Sequence, residues 1–367
     1  MGGLFPSSPT IGVGFNENLA WGATVNKPDL VDIFALTTNA KEPDKYLLDG
    51  RWRSFREKTI KLKVKLFGFL PWQVKRKALY TEHGPAIETP HGIYAIRYAG
   101  MGEIKQIEQW LAMNKATNFE EWLAALAQHT FASFNFVYSD KDGNIAFIHN
   151  SMTPVRIPGY NWHNYLPGDK SSLIWDSYIS FEKLPMVINP SSGYLISANQ
   201  SPFFVTSDKD NPDRKNYSNE DGFPTRMTNR AVRGLELLSE LDKIDERTFS
   251  AIKHDKKYSK NSRAYKYLEK AMLADLGDLN TQKHEIYANA QTILKKWDLS
   301  TDKNNRGAAL ATCIIGAEWL AEQQGENPPD PSGELKRCTD LLLDKIGRID
   351  PKCCLLYTSP SPRDFQV

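Results

Sequence analysis

The chain has 367 residues, of which 41% are hydrophobic and 25% are charged, a balance typical of a globular protein that buries a core. Its 46 basic and 44 acidic residues leave a net charge of +2, which gives no reason to expect binding to nucleic acid or to an anionic membrane surface. No apolar run reaches the ~20 residues of a membrane helix, so we predict neither nucleic acid nor membrane as a partner.

The first 200 residues are predicted to be mostly β-strands. Asp49-Gly50 predicts a two-residue hairpin turn, because this dipeptide favours the backbone angles of such turns. Thr59–Leu66 (TIKLKVKL) alternates apolar and polar residues, which indicates a half-exposed strand. The predicted strands are 11–13, 19–25, 32–36, 46–48, 52–55, 59–66, 73–80, 92–98, 133–138 and 144–149.

Helices are predicted at two places in the chain. Apolar residues recur at helical spacing within Glu103–Met113, and Asn118 is a favourable N-cap for a second helix from Phe119 to about residue 128. Residues 151–190 indicate an irregular, packed loop. After Pro224 the pattern is helical, with predicted helices at 226–241, 246–251, 262–276, 281–297, 306–323 and 334–346.

These patterns predict an α+β chain with a sheet-rich part at 1–222 and a helical part at 223–353. The segment 354–367 (CLLYTSPSPRDFQV) continues neither pattern. Its first residues are similar to a peptide that arises when sequencing-adapter DNA is translated at the end of a gene fragment. We therefore interpret 354–367 as non-native, and a flexible natural tail is the alternative.

Familiar catalytic signatures are missing from the sequence: it contains no GxSxG, HExxH, Walker or GxGxxG motif. His83 and His91 flank a turn but have no further ligand cluster nearby. Packed or surface positions are predicted for His129, His149 and His163. The cysteines lack metal-binding spacing, and a Cys313–Cys338 disulfide and free buried thiols stay open as alternatives.

Short motifs in a fixed order carry the functional information. Asn18 with LAWGATV (19–25) is followed by DLVDIF (29–34), and further motifs lie at 47–52, 83–85, 142–145, 189–194 and 199–202. Together they resemble the β-chain of the penicillin acylase family, which includes acyl-homoserine-lactone acylases and belongs to the N-terminal-nucleophile hydrolases. The resemblance implies an αββα sandwich, incomplete in this chain and followed by a mostly helical region.

The resemblance implies that Val25 and Asn199 form an oxyanion hole. Val25 would offer its backbone N–H and Asn199 its side-chain amide to the negative oxygen that forms when an amide carbonyl is attacked. Val25 would also border an apolar pocket for the acyl group. Phe134 is a candidate lining residue of that pocket, and plain core packing is the alternative for it.

Two further sets of residues have implied roles. Arg230 would help to hold the site, with Arg226 and Arg233 as alternatives at neighbouring sequence positions. Some family members bind calcium through the D-x-V-D segment, and oxygen donors of that kind suit this cation. The resemblance thus implies a structural calcium ion with the ligands Asp29, Val31 (main-chain carbonyl) and Asp32, and a further acidic ligand from later in the chain, either Asp208 or Asp210. A turn without metal is the alternative, and no organic cofactor is implied.

The resemblance places the nucleophile outside this chain. In the family it is the side chain of the first β-chain residue, usually Ser, and the α-amine of that residue acts as the base. Met1, Gly2 and Gly3 cannot serve, so we expect that the α-chain and the N-terminal part of the β-chain are missing and that this chain alone is inactive.

The implied complete enzyme hydrolyses an acyl amide, such as an N-acyl-homoserine lactone or a penicillin. A non-catalytic binding or scaffold protein that kept the fold is the alternative function. The resemblance also implies a periplasmic or secreted protein.

Overall fold

The computed structural model describes residues 1–4, 6, 8–324 and 326–352, so the segment 354–367 lies outside the described residues. The chain divides into two compact units, the first at Met1–Thr225 and the second beginning at Arg226. The predicted boundaries stay a prediction. Each unit has its own hydrophobic core, and each is described here by itself.

All strands of the described residues lie in the first unit, together with two α-helices. The strands are β1 (Gly2–Gly3), β2 (Val13–Phe15), β3 (Leu19–Thr24), β4 (Val31–Leu36), β5 (Lys45–Leu48), β6 (Arg51–Ser54), β7 (Arg56–Leu66), β8 (Leu70–Tyr80), β9 (Pro85–Thr89), β10 (Gly92–Tyr98), β11 (Ser133–Asp140), β12 (Ile145–Ser151), β13 (Leu166–Pro167) and β14 (Met186–Ile188). The helices are α1 (Gln106–Lys115) and α2 (Phe119–Leu126).

One six-stranded sheet has the order β1-β2-β3-β11-β12-β14. Its central strand β11 is antiparallel to both neighbours, with Thr24 opposite Asn135 and Asn135 opposite His149. Successive side chains of a strand point to opposite faces. Phe134, Phe136 and Tyr138 therefore share one face, where they pack in a core with residues of α1 and α2.

A second six-stranded sheet has the order β13-β4-β10-β9-β8-β7. Strand β4 lies inside it, and Phe34 at its centre is fully buried. The prediction of a half-exposed strand at 59–66 is wrong, because every residue of β7 is exposed. The reason is tertiary: β9 pairs only with Leu79 and Tyr80 of β8, so the β7–β8 hairpin extends beyond the sheet.

The second unit is helical. Its helices are α3 (Asn229–Ser239), α4 (Glu246–Lys253), α5 (Arg263–Leu273), α6 (Thr281–Lys295), α7 (Ala308–Gln324) and α8 (Pro331–Ile346). Side chains at the N-caps of five of them accept a hydrogen bond from the first turn: Thr228, Asp245, Ser262, Asn280 and Asp330. A disulfide joins Cys313 of α7 to Cys338 of α8.

The strand-rich first unit and the helical second unit confirm the predicted α+β class. Most predicted strands and helices are present, including the cap at Asn118, which accepts a hydrogen bond from the N–H of Glu121. The short strands β1, β9, β13 and β14 were not predicted, and the last two lie in the segment predicted as an irregular loop. A search of the described residues found no helix that combines the length and the apolar character needed to span a bilayer.

Reduction of the disulfide is expected to destabilise the second unit. The bond closes a loop between positions 25 residues apart, and loss of that cross-link costs about 3.5 kcal/mol of unfolding free energy in the chain-entropy treatment. The measurement is urea unfolding with and without dithiothreitol, with Cys353 and Cys354 replaced by Ser. The matched control also carries Cys313→Ser and Cys338→Ser. A dithiothreitol effect of equal size in the control would contradict the assignment.

Candidate active site

Val25 directly follows the last residue of β3. The Thr24 hydroxyl lies 2.7 Å from the hydroxyl of Ser197, so the end of this strand is joined to the loop that carries Asn199. Val25 is 46% exposed. The residue therefore stands at the protein surface while its neighbours on both sides are anchored, since Asn26 is buried and donates to the carbonyl of Asn150.

Asn199 meets Val25. Its side-chain Nδ2 lies 2.7 Å from the carbonyl oxygen of Val25. The backbone of Asn199 is in the left-handed region, with φ of 63°, which Asn tolerates better than most residues. The structure thus brings together the two residues predicted to form the oxyanion hole. Their role as donors to an oxyanion stays a prediction.

Gln200 holds the loop that presents Asn199, a role that was not predicted for it. Its Oε1 accepts from the N–H of Ala198, and its Nε2 donates to the carbonyls of Ile196 and Phe204. The side chain is buried, and a buried amide needs such partners. A polar residue inside a Pro-terminated turn (NQSP) is the only signal for this role that the sequence offered.

Two polar side chains are buried in the neighbouring strands β11 and β12, close to Val25. Asn135 and His149 are cross-strand partners, and the Oδ1 of Asn135 lies 2.8 Å from the Nδ1 of His149. Since an amide oxygen can only accept, Nδ1 carries the proton. Burial lowers the pKa of His149 to about 3, so the imidazole is neutral near pH 7. Of the two positions predicted for His149, packed or at the surface, the structure shows the packed one, since the residue is completely buried.

Phe134 has a position between core and surface. Phe131 and Phe136 are buried, whereas Phe134 is only partly buried against the same aromatic cluster. Its ring centroid lies 6.1 Å from that of Trp110. The residue contributes to the core and still presents part of its ring outside it. Its role in an acyl pocket stays a prediction.

The predicted calcium ligands surround an arginine. Asp32 is buried, and its carboxylate accepts from the Nε of Arg156 at 3.1 Å and from the indole N–H of Trp175 at 2.6 Å. One nitrogen, Nη2 of Arg156, lies 3.1 Å from Asp32 Oδ1 and 3.4 Å from Asp29 Oδ1. Burial raises the pKa of Asp32, and the charge of Arg156 and the indole donor act against that rise.

These residues, as they lie, do not fit a calcium ion. Calcium needs six or more oxygen ligands at about 2.3–2.6 Å, and here a guanidinium lies between the two carboxylates. Val31, whose main-chain carbonyl is the predicted ligand, is the first residue of β4 and pairs with Tyr98 of β10. Within the part of the chain that the structure describes, no group of three His, Cys, Asp or Glu side chains is suited to hold a metal.

Arg230 is the second residue of α3 and belongs to the second unit. It is partly buried, and its role at the site stays a prediction. Both alternatives bind elsewhere in that unit. Arg226 donates to the carbonyl of Glu322 at 2.9 Å, and Arg233 pairs with Asp255 at 3.1 Å.

Comparison with known proteins identifies the family. A family model described as penicillin amidase matches residues 1–349. The chain belongs to the penicillin amidase family. It is 33% identical over 201 residues to penicillin G acylase of Escherichia coli, covering 53% of this chain and 23% of that protein. It is 24% identical over 372 residues to the acyl-homoserine lactone acylase PvdQ of Pseudomonas syringae pv. tomato, covering 91% of this chain and 47% of that protein.

The fold agrees with this assignment. A solved structure, the thermostable penicillin G acylase from Alcaligenes faecalis, superposes with a TM-score of 0.63 at 20% identity, covering 93% of this chain and 70% of that one. This likeness shows that the chain shares its fold with that penicillin G acylase. The chain spans less than half of the length of the curated relatives given above.

Acid is expected to destabilise the first unit through its buried histidines. Burial lowers the pKa of His149 to about 3, and burial together with the charge of Arg97 lowers that of His83 to about 4. Both values lie below the 6.5 of a free histidine, so the unfolded chain binds more protons as the pH falls below about 6.5. The contribution of the two neutral histidines to the free energy of unfolding is fully present above that pH. At about pH 5 the free energy of unfolding is lower by roughly 2 kcal/mol per histidine.

Urea unfolding at several pH values checks this expectation. His149→Gln should reduce the loss of unfolding free energy between neutral and acidic pH, because the substituted residue cannot be protonated. The matched control is His254→Gln, at an exposed position in the second unit. If the His149 variant loses as much stability as the parent protein, the buried imidazole is not the titrating group.

Proposed function

We propose that this chain is part of an amidohydrolase that removes an acyl group from a small amine. One observation carries the proposal: the Asn199 carboxamide lies 2.7 Å from the Val25 carbonyl, at the exposed end of β3. An oxyanion hole needs a side-chain donor and a backbone donor held at one place before the reaction begins. Membership of the penicillin amidase family supports the same chemistry.

The proposed reaction starts with attack on the amide carbonyl by an N-terminal serine. That serine belongs to a segment outside these 367 residues, and its own α-amine takes the proton. An α-amine has an ordinary pKa of about 7.7–8.0, close to working pH. The N–H of Val25 and the carboxamide of Asn199 stabilise the tetrahedral oxyanion. The α-amine passes the proton on to the amide nitrogen, so collapse expels the neutral amine and leaves an acyl-enzyme, which water hydrolyses.

The substrate has an acyl chain that enters an apolar pocket bordered by Val25. Phe134 lines that pocket with the exposed part of its ring. The relatives named above are acylases of penicillin G and of acyl-homoserine lactones, so amides of these two kinds are the candidate substrates. One extra or missing methylene group in an apolar pocket changes the free energy of transition-state binding by only ~1–3 kcal/mol. We therefore expect the enzyme to accept acyl chains of several lengths.

The proposed protein works in an oxidising compartment, the periplasm or the cell exterior. The disulfide between Cys313 and Cys338 supports this location, since such bonds persist mainly outside the cytosol. The proposed complete enzyme contains a second chain and further residues of this one. The 367-residue chain by itself is expected to hydrolyse no acyl amide.

Asn199→Gly in the complete gene product is expected to lower kcat by roughly 100- to 1,000-fold, because one oxyanion donor is removed. Glycine tolerates the left-handed backbone at this position, where φ is 63°, so the fold should persist. The readout is steady-state hydrolysis of phenylacetyl and long-chain acyl amides, with thermal unfolding in parallel.

The matched control is Asn189→Gly. This residue has the same left-handed backbone, with φ of 47°, and lies beside Asn144 at the opposite end of the β11–β12 hairpin. Its variant should keep kcat. Equal kcat in the Asn199 variant and the parent enzyme would refute the proposal. A complete gene product that binds acyl amides without turning them over would instead favour the non-catalytic binding protein.

Phe134→Leu is expected to change acyl selectivity. A smaller apolar side chain alters the fit of the acyl group, and the ratio of kcat/KM for a short and a long acyl amide should shift by about 10-fold. Phe119→Leu is the control, because Phe119 is partly buried too but packs on Tyr138 with a centroid distance of 5.0 Å. An equal shift of acyl selectivity in both variants would contradict the assignment of Phe134 to the acyl pocket.

A further inference from the structure

The guanidinium of Arg156 contacts oxygen atoms of two other segments of the first unit. Its Nε and Nη2 reach both carboxylate oxygens of Asp32 at 3.1 Å, and Nη2 also contacts Asp29 Oδ1 at 3.4 Å. The backbone carbonyl of Asp29 accepts from Nη2, and that of Glu220 accepts from Nη1, each at 3.1 Å. The Arg156 side chain is only 1% exposed. Carboxylates and carbonyls therefore enclose one cation.

The enclosure is packed tightly around this cation. Gly222 has φ of 65°, and a Cβ at this position would meet Asp29 Cβ at 2.7 Å and Arg156 Nη1 at 3.2 Å. The ring of Trp162 lies 5.4 Å from the guanidinium carbon. His163 Nδ1 lies 3.4 Å from the remaining oxygen of Asp29. The loop after Glu220 thus closes directly over the arginine.

The donor set is one that a hard cation prefers, but its geometry is that of a guanidinium. Oxygen ligands of Ca²⁺ lie at about 2.3–2.6 Å in a shell around the ion, whereas Arg presents a planar fork of N–H donors. A divalent ion between the two carboxylates would lie against a fixed positive charge. The arginine and a metal ion are therefore alternative occupants of this space.

We infer that Arg156 is a built-in cation that takes the place of a divalent metal ion in this oxygen-lined site. The native protein then needs no calcium here, and removal of the guanidinium leaves an oxygen-lined site for a hard divalent cation. The inference is independent of the proposed hydrolysis and is tested without an activity assay. The site also lies within a few residues of Val25, so Arg156 is a positioning residue for the segment between β3 and β4.

The experiment is thermal unfolding of the complete protein with EDTA and with about 10 mM CaCl2. The melting temperature of the native protein should be equal in both. Arg156→Ala should melt lower in EDTA and be raised by CaCl2. A site with a Kd of about 0.1–1 mM increases the folding equilibrium constant by about 10- to 100-fold at this concentration. Arg156→Ala with Asp32→Asn is the control and should lose the response, because a ligand charge is removed.

Terbium luminescence gives a second readout. Trp175 donates to Asp32 and Trp162 faces Arg156, so Tb³⁺ held in the opened site should show tryptophan-sensitised emission. Emission is expected from Arg156→Ala and not from the native protein. A native protein that EDTA destabilises, or that sensitises Tb³⁺ with loss of the signal in Asp32→Asn, would overturn the inference. These native-protein measurements decide the matter even if the Arg156 variant does not fold.

Discussion

The first unit depends on one buried charge cluster. Arg156 binds Asp29 and Asp32 at the start of β4 and the carbonyl of Glu220, so it joins three segments that are far apart in the sequence. Removal of one partner from a buried ion pair typically costs about 3–5 kcal/mol, because the remaining charge is left without compensation. The cluster also holds the segment that follows Val25. The segment that carries Val25 is therefore anchored by an ion pair that lies four to seven residues further along the chain.

The other half of the site depends on buried polar contacts. Asn199 lies in a loop, and a loop is precise only when its backbone groups find fixed partners. Gln200 provides these by bridging Ile196 and Phe204, while the hydroxyl of Ser197 ties the loop to β3. The left-handed backbone then turns the Asn199 side chain toward Val25. The position of the Asn199 side chain thus depends on its neighbours Gln200 and Ser197 as well as on Asn199 itself.

Much of the architecture could be predicted from sequence because it reflects local physics. Most strands and helices could be predicted from the spacing of apolar residues. Asp49-Gly50 forms a turn and Asn118 caps a helix through contacts with residues only a few positions away in the sequence. The β7–β8 hairpin is the instructive exception. The alternation of apolar and polar residues in β7 predicts that one face of the hairpin is buried. Burial, however, needs a neighbouring element. Since β9 pairs with only two residues of β8, most of the hairpin lies outside the sheet.

The sequence by itself determined the α+β class and the family, because the order of short motifs can be compared with that of a family without a structure. The same resemblance indicated that the strand end W-G-x-T lies near a later Asn. Tertiary structure alone decided what neutralises Asp29 and Asp32. Two carboxylates three positions apart predict a cation, but not whether that cation is a metal ion or a side chain. Arg156 lies 124 residues after Asp32, and only folding brings the two charges together. Electrostatic pairing acts through space, so local sequence pattern carries no record of it.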